Sequence, residues 1–555
     1  MEEVKKRLKN LSAEDLRSMI LNWASEETSS GRQEFLYKLI CLRQDNDVAS
    51  DIETLIDEIE EFAQRVENGE YCDGWGWDEE IYEERDWGDE SWAEEMDEFF
   101  LQARSLLFQG EYKISAEVYQ RLFDVLELGE EPGHLPGDPD CVNMLKVDID
   151  EQVALFLRAI YMNSAPTERL ALLYESIKRY RDLFGDVTLK NIVDVADTLL
   201  PDFDIFLADL IVFLKNQSPM IDSELLREAI ALEGGVPAIS EFARQYADKY
   251  PKAYVDWITA LEKNGDTDSV IQVAREGLSR IPRDFKVRAE VAEAISRIGE
   301  KLNDNALRLE GYRECFYSRP SIQGLLDLYI VAIENDCFDE VRNEVEQRVA
   351  ELYRDRMPVT IYPNIEQQSS SVSVNVFFNA LLLSGRYEKV FDMCKGKDLL
   401  GWSTGDNPKP LLITFMMMVL SDEGRHAKML NSQWEEAIGI GYSMSKAYIE
   451  KYRKVFTFIK KEYIKLDNEQ EDFYLKWCRD EIGRRVDAIV SNQHRGSYHK
   501  AAGLLVAMAE TLADRGEKQD GMGFIEKYKN KYSRHTAFKR EVACAVQASG
   551  LSVRA

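Results

Sequence analysis

A helix, a glycine turn and a second helix recur along this chain, and this pattern restricts the possible folds most strongly. One copy is centred on Gly110, one on Gly265 and one on Gly385, each flanked by apolar residues at helical spacing. Glycine adopts the positive φ that a tight turn between packed helices requires. The pattern therefore predicts an all-α fold, an α-solenoid of stacked helical hairpins in two or three packed units.

Three prolines support this organisation. Pro251, Pro282 and Pro320 stand 31 and 38 residues apart, and each is expected between consecutive helical units because proline cannot continue a helix. Only 14 prolines and 31 glycines interrupt the 555 residues. That frequency is low for an all-β protein and is typical of a helical one.

The hairpins resemble degenerate tetratricopeptide repeats. After the turn at Gly110 comes Tyr112, and Ser115, not Ala116, stands where the repeat consensus has its small residue. The resemblance extends over separate pieces of the chain, and it implies a concave surface that binds a partner.

Changes in composition divide the chain into five stretches. Two prolines and a Ser/Gln run rule out a continuous helix near 356–372, where we expect a joint. Val372, Val374 and Val376 alternate as in one short strand. The expected stretches are an N-terminal helical domain (1–66), an acidic Trp-rich segment (67–99), tetratricopeptide-like repeats (100–355), a linker (356–372) and a C-terminal helical repeat domain with a basic tail (373–555).

Charge is distributed unevenly. The formal charge of the chain is −32, and residues 1–150 hold 40 acidic and 14 basic side chains, whereas 451–555 hold 14 acidic and 21 basic ones. The acidic front repels phosphate backbones, so nucleic acid is expected as a partner only through the basic tail.

Cysteine usage and hydropathy indicate a cytoplasmic protein. Eight scattered cysteines form no Cys-x-x-Cys pair, as in proteins of a reducing compartment. The N-terminal residues contain no apolar signal region, and the longest apolar run, 411–420, is too short to span a membrane. We expect no membrane partner.

The segment 67–99 is the most unusual. It carries fifteen acidic residues, one basic residue (Arg85) and four of the nine tryptophans: Trp75, Trp77, Trp87 and Trp92. Residues 72–78 read as a turn, and a helix is expected to begin near Asp89. Three interpretations remain: a docking element whose indoles anchor in a partner, a loop folded back with solvated carboxylates, or a cation site formed by Asp73, Asp78, Asp86 and Asp89.

Two further segments are candidates for regulation and binding. The polar stretch 421–432 follows an apolar helix and is expected to be a loop open to proteolysis, or an ordinary connector. The basic tail presents cations that meet an acidic partner or nucleic acid, pair with the acidic front, or remain solvated. The candidate cleavage residues are Gly424, His426, Ala427, Lys428, Met429 and Leu430, and those of the tail are Arg495, Tyr498, Lys531 and Arg534.

No catalytic motif is apparent. There are five histidines, and His494 and His499 are five residues apart, which does not match the i, i+4 pair of a helical metal site. Phosphate-binding and nucleophile-elbow motifs are absent from the sequence. We expect a non-enzymatic protein without metal or cofactor, the alternative being a metal-dependent enzyme that uses clustered acids.

Two family resemblances concern function. Arg484 to Val490 and Arg495 to Val506 are similar to the helical-repeat region of bacterial SWIM-type zinc-finger proteins, but the zinc-finger motif is missing. The acidic helical chain with Ala427-Lys428-Met429 in an exposed loop resembles the protease-substrate protein of type III-E CRISPR systems. The second resemblance implies cleavage by an RNA-guided, caspase-like protease and fragments that act through a sigma-factor-type regulator.

The sequence thus favours a scaffold that binds protein partners in a bacterial regulatory or antiviral-defence complex. Cleavage in the loop 421–432 would release regulatory fragments. A nucleic-acid-linked adaptor that acts through the basic C-terminal face is the competing non-enzymatic hypothesis.

Overall fold

A computed structural model describes most of the chain. The described residues are 48–78, 83–136, 141–185, 187–217, 219–354, 365–397, 399–400, 407–421, 427–438 and 445–552. They form helices almost throughout, with one β-hairpin, which confirms the all-α class. Residues 1–47 of the predicted N-terminal helical domain lie outside these ranges.

The chain divides into two compact units, Met1–Ala238 and Ile239–Ala555. In the first unit, α3 packs on α1, α2 and α4, and α5 packs on α4 and α7. The elements of this unit are α1 (Val48–Glu67), β1 (Cys72–Asp78), β2 (Glu83–Gly88), α2 (Ser91–Gln109), α3 (Tyr112–Gly129), α4 (Ile149–Asn163), α5 (Pro166–Phe184), α6 (Leu189–Asp194) and α7 (Phe203–Lys215).

Helix α8 (Pro219–Gln245) contains the division between the units and is interrupted at Gly235, whose φ and ψ are not helical. The helices of the second unit are α9 (Lys252–Lys263), α10 (Thr267–Arg280), α11 (Arg288–Leu302), α12 (Asn305–Ser318), α13 (Ile322–Glu334), α14 (Phe338–Arg354), α15 (Val374–Leu383), α16 (Tyr387–Cys394), α17 (Lys409–Leu420), α18 (Lys428–Ile438), α19 (Lys446–Glu462), α20 (Asn468–Ser491), α21 (Tyr498–Asp514), α22 (Lys518–Lys531) and α23 (Thr536–Ala548). Each helix from α9 to α16 packs on its successor.

In the described part of the chain, seven pairs of consecutive α-helices are joined by the same turn. In each, one residue at positive φ ends the first helix, and the next N–H donates to the carbonyl five residues earlier, at 2.8–3.2 Å. This is the Schellman motif. Gly110, Gly265 and Gly385 occupy the positive-φ position, as their sequence pattern predicts. The other four turns have Asn303, Asp336, Gln493 and Gly516 there.

Small residues set the distance between the helices of a hairpin. Ser115 is fully buried in α3, and its hydroxyl donates to the Ala103 carbonyl of α2 at 2.9 Å. Ser115 therefore takes the place of the small consensus residue, one position before Ala116. In the α11–α12 pair, a Cβ on Gly311 would lie 2.5 Å from the Ser296 nitrogen.

The segment 366–370, which leaves the 3₁₀ turn Ile365–Gln367, crosses the turns between hairpins; we call it the strap. The Lys252 N–H donates to the Glu366 carboxylate at 3.1 Å, and the Lys286 N–H donates to the Gln368 carbonyl at 2.8 Å. The hydroxyl of Ser370 donates to the Ser318 carbonyl at 2.7 Å. These turns are the ones that contain the three spaced prolines, so the strap crosses three successive hairpin junctions of the second unit.

Two local predictions were wrong. Residues 374–383 form α15 because the Ser373 hydroxyl accepts the Val376 N–H and caps a helix, so Val374 and Val376 are not in a strand. Residues 72–78 form strand β1 instead of a turn, antiparallel to β2 with an irregularity between Cys72 and Trp75. The alternation Trp-Gly-Trp fits a strand, and the tryptophans outweigh the turn preference of the glycines.

The predicted joint at 356–372 lies within the second unit. Residues 355–364 are outside the described ranges, but the strap and Val372 are described. Val372 is buried in one continuous core with residues on both sides of the segment, such as Val349 and Phe377. In the described part of the chain, no helix has the length and apolarity needed to cross a bilayer.

We expect Gly311→Ala to destabilise the protein by about 1–3 kcal/mol, because the added methyl group enters a close backbone contact. Gly523→Ala is the matched control, since no atom lies within 4 Å of the position of its Cβ in α22. That change should stabilise by about 0.4–1 kcal/mol, because alanine restricts the unfolded chain. Denaturant unfolding of both variants measures the difference, and equal midpoints would contradict the close packing of α11 and α12.

Candidate partner-binding surfaces

The acidic Trp-rich segment begins with the β-hairpin. In its register Trp75 is opposite Asp86 and Trp77 is opposite Glu84, while Trp87 follows in β2. The side chains of 73–87 lie outside what the structure describes. Docking through these three tryptophans therefore stays a prediction.

Trp92 does not belong to a docking surface in this structure. It lies in the first turn of α2 and is fully buried, together with Met96 and Phe100. These residues follow one another at intervals of four, so they form the core-facing stripe of a helix. The prediction for Trp92 was wrong because its helical spacing outweighs the preference of tryptophan for interfaces.

Acidic side chains of this region hold the first unit together. Glu95 forms an ion pair with Arg65, and it accepts the Tyr71 hydroxyl at 3.0 Å. Asp97 accepts the Lys146 and Val147 N–H groups, each at 3.1 Å, and burial raises the pKa of its carboxyl. These two carboxylates connect α2 to neighbouring segments.

The cation-site alternative concerns four aspartates. Asp89 accepts the Ser91 N–H at 2.9 Å, and this hydrogen bond lowers the pKa of its carboxyl. Asp73, Asp78 and Asp86 lie in the part whose side chains the structure leaves undescribed. Among the described residues, no three His, Cys, Asp or Glu side chains form a group suited to a metal ion.

The predicted cleavage loop 421–432 is shorter in the structure. Helix α18 begins at Lys428, so Lys428, Met429 and Leu430 are helical, and Ala427 and Leu430 are buried. The prediction that these four residues form an accessible loop was wrong, because Leu430, Trp434 and Ile438 form the buried stripe of a helix. Residues 422–426, including Gly424 and His426, lie outside the described ranges.

Both ends of this connection are anchored. On the N-terminal side, Ser421 is buried, and Lys460 donates to its carbonyl at 2.6 Å. On the C-terminal side, the fully buried carboxylate of Glu510 accepts the Leu430 N–H at 2.7 Å and the Gly550 N–H at 2.8 Å. Burial raises the pKa of Glu510. One carboxylate thus caps α18 and also holds the C-terminal 3₁₀ turn, Gly550–Ser552.

The structure brings the four predicted tail residues to one end of the C-terminal helices. Tyr498, the first residue of α21, packs its ring 5.7 Å from that of Phe538, and Arg495 precedes it by three positions. Lys531 pairs with Asp487 at 2.8 Å. Arg495 and Arg534 are exposed. Tyr498 is buried, so its prediction as a direct partner contact was wrong, because the ring belongs to the core.

An apolar stripe on α7, formed by Ile205 and Val212, was not predicted from the sequence. These two side chains expose 64% and 62% of their surface, and Leu199, four residues before the helix, exposes 89%, while Phe206, Leu207, Leu210, Ile211 and Leu214 of the helix are buried. The signal was present in the sequence, because ten of the thirteen residues of this helix are hydrophobic, more than one buried face requires.

A cavity of about 360 Å³ opens between α10 and α12. Its apolar lining consists of Leu278, Ala306 and Leu309. The charged lining residues are in ion pairs: Glu310 with Arg275 at 2.7 Å, Glu314 with Arg288 at 2.8 Å and Arg313 with Glu344 at 3.1 Å. An apolar side chain of a partner fits such a lining better than a charged one.

Comparison with known proteins gives no relative. No protein-family model matches the chain, and no curated protein matches it.

We expect Glu510→Ala to destabilise the second unit by about 2–4 kcal/mol, because two buried N–H groups lose their acceptor. Glu526→Ala, which removes an exposed carboxylate from α22, is the control and should change stability by less than about 0.5 kcal/mol. Urea unfolding followed by circular dichroism compares the variants. Equal losses in the two variants would show that the Glu510 carboxylate is not a structural anchor.

Proposed function

We propose that this protein is a non-enzymatic helical scaffold that binds protein partners. The observation that carries the proposal is the exposed stripe of Ile205 and Val212 on α7, with Leu199 exposed four residues before the helix. Ile205 and Val212 are seven residues apart and so lie on one face of the helix, and exposed aliphatic side chains that share a face mark sites of protein association. Asp204 and Asp209 beside them are exposed and provide the polar surroundings that are usual for an interface.

The hairpins of the second unit support a scaffold role in another way. Their surfaces are connected by ion pairs between alternate helices, such as Arg244 of α8 with Glu276 of α10 at 2.9 Å and Arg297 of α11 with Glu262 of α9 at 2.8 Å. In such pairs, opposite charges on the hairpin surface neutralise each other. A pre-ordered surface loses little conformational entropy on binding, which favours recognition by shape.

We also propose that the protein acts in the cytoplasm and is regulated by cleavage, as its resemblance to the protease-substrate protein of type III-E CRISPR systems implies. A caspase-like protease complex would cut between Ser421 and Ala427, and a sigma-factor-type regulator would be the partner. The anchored ends favour a cut confined to this connection, since the residues on both sides of it are buried. A second function, binding of acidic partners or nucleic acid by the C-terminal turns, is favoured by the exposed Arg495 and Arg534.

We expect the double change Ile205→Glu/Val212→Glu to weaken partner capture about thirtyfold or more, because carboxylates replace the anchors of an apolar contact. The measurement is quantitative affinity capture from the host lysate, with cross-linking mass spectrometry to map contacts on α7. Stability should change by less than about 0.5 kcal/mol, because both side chains are exposed.

Leu302→Glu is the matched control, since this leucine of α11 is 61% exposed. Capture should be unchanged in this variant. The proposal would be wrong if both variants captured the same proteins in equal amounts, or if no protein cross-linked to α7.

A chain cut between Ser421 and Ala427 should remain one particle. Helix α17, before the cut, packs on α18, α20 and α21, after it, within one continuous core. A site for a sequence-specific protease inserted at 422–426 allows this test. After digestion, the two pieces should elute together in size-exclusion chromatography and separate only in denaturant. Separation in native buffer would show that cleavage alone releases the fragments.

A further inference from the structure

Two turns in the C-terminal part of the second unit each carry an arginine and a histidine and lack acids. The first, 491–498, contains His494 and Arg495; the second, 532–538, contains Arg534 and His535; neither contains Asp or Glu. Residues 491–496 and 533–534 are exposed. We call the pair the basic double turn.

Two contacts place these turns side by side. The hydroxyls of Ser491 and Tyr532 are 2.9 Å apart, and the rings of Tyr498 and Phe538 are 5.7 Å apart. In the first turn Arg495 lies between Ser491 and Tyr498, and in the second turn Arg534 lies between Tyr532 and Phe538. The two guanidinium groups therefore extend from adjacent turns of one surface.

Both arginines are available to a partner. Within the part of the chain that the structure describes, no ion pair is formed by either of them. Asp487, the acid nearest to the second turn, is already engaged: it pairs with Lys531 at 2.8 Å and accepts the Tyr532 hydroxyl at 2.7 Å. The charge of the double turn is thus not neutralised by the acids packed beneath it.

Two helices start at this surface. Helix α21 begins at Tyr498 and α23 begins at Thr536, and neither has a side-chain hydrogen bond at its N-cap. The partial positive charge of their N-terminal ends adds to that of the arginines. These ends are a secondary contribution, and the exposed arginines are the main attraction for an anion.

We propose that the basic double turn binds an acidic segment of a partner protein. This inference rests on the proposed scaffold function and specifies the chemistry of one partner. A single-stranded nucleic acid fits less well, because its bases stack on exposed aromatic rings. The aromatic residues of the double turn, Tyr498, Tyr532 and Phe538, are all buried. Two exposed arginines on adjacent turns can each form charge-assisted hydrogen bonds with carboxylates of such a segment.

The test uses the full chain and a fluorescein-labelled peptide with six consecutive glutamates, at low salt, with fluorescence anisotropy as the readout. The double variant Arg495→Ala/Arg534→Ala should raise the Kd about tenfold or more, because two charge-assisted contacts are lost. Lys446→Ala/Lys518→Ala is the matched control. It removes two exposed cations of the same unit, and the Kd should stay within about twofold of the wild-type value.

Equal weakening in both double variants would overturn the inference, since the attraction would then be only that of net charge. A single-stranded oligonucleotide with six phosphates that binds more tightly than the peptide, and loses affinity in the arginine variant, would also overturn it in favour of nucleic acid. If partners are captured through α7 while the peptide does not bind, the inference fails and the scaffold function remains.

Discussion

The hydrogen bond that closes each hairpin turn is the constraint on which the fold depends. In these turns a residue at positive φ lets the next N–H reach back five residues, and the chain then reverses onto the helix that it has just left. Seven helix pairs in the described part of the chain are joined in that way. The close packing of small residues between the two helices of a hairpin depends on this reversal at a fixed position. The stacking of each hairpin on its neighbours depends on it as well.

The same constraint explains how much of the fold could be predicted from the sequence. Gly110, Gly265 and Gly385 identify three turns, because glycine at the end of an apolar stripe has few other roles. Asn303 and Asp336 adopt the same conformation but are common in every kind of loop, so the sequence does not distinguish them. The strap was unpredictable for another reason. Its Pro- and Ser-rich surroundings indicate irregular chain, and its partners lie far away in sequence, from 52 residues for Ser318 to 114 for Lys252.

Side-chain chemistry alone was enough to select candidate site residues that are exposed, but it did not show which of the selected residues are buried. Arg495 and Arg534 were selected for their charge, and they are exposed in the structure. Trp92 was selected as an aromatic anchor and Tyr498 as part of the basic tail, but both lie at helix starts with their rings in the core. The stripe on α7 was not predicted because an apolar helix is first assigned to the hydrophobic core. Only the packing of the structure shows which face of the helix stays exposed to solvent.

The strap has a mechanical consequence for the second unit. Stacked hairpins behave as a one-dimensional array in which each unit contacts only its neighbours, so the end units fray independently. The strap contacts turns at 252, 286 and 318, and so it connects neighbouring hairpins through a segment that lies outside them in sequence. Opening any one of these hairpins breaks bonds shared with the others. The hairpins of this region therefore unfold together, as a globular domain does, and not one by one from the ends of the array.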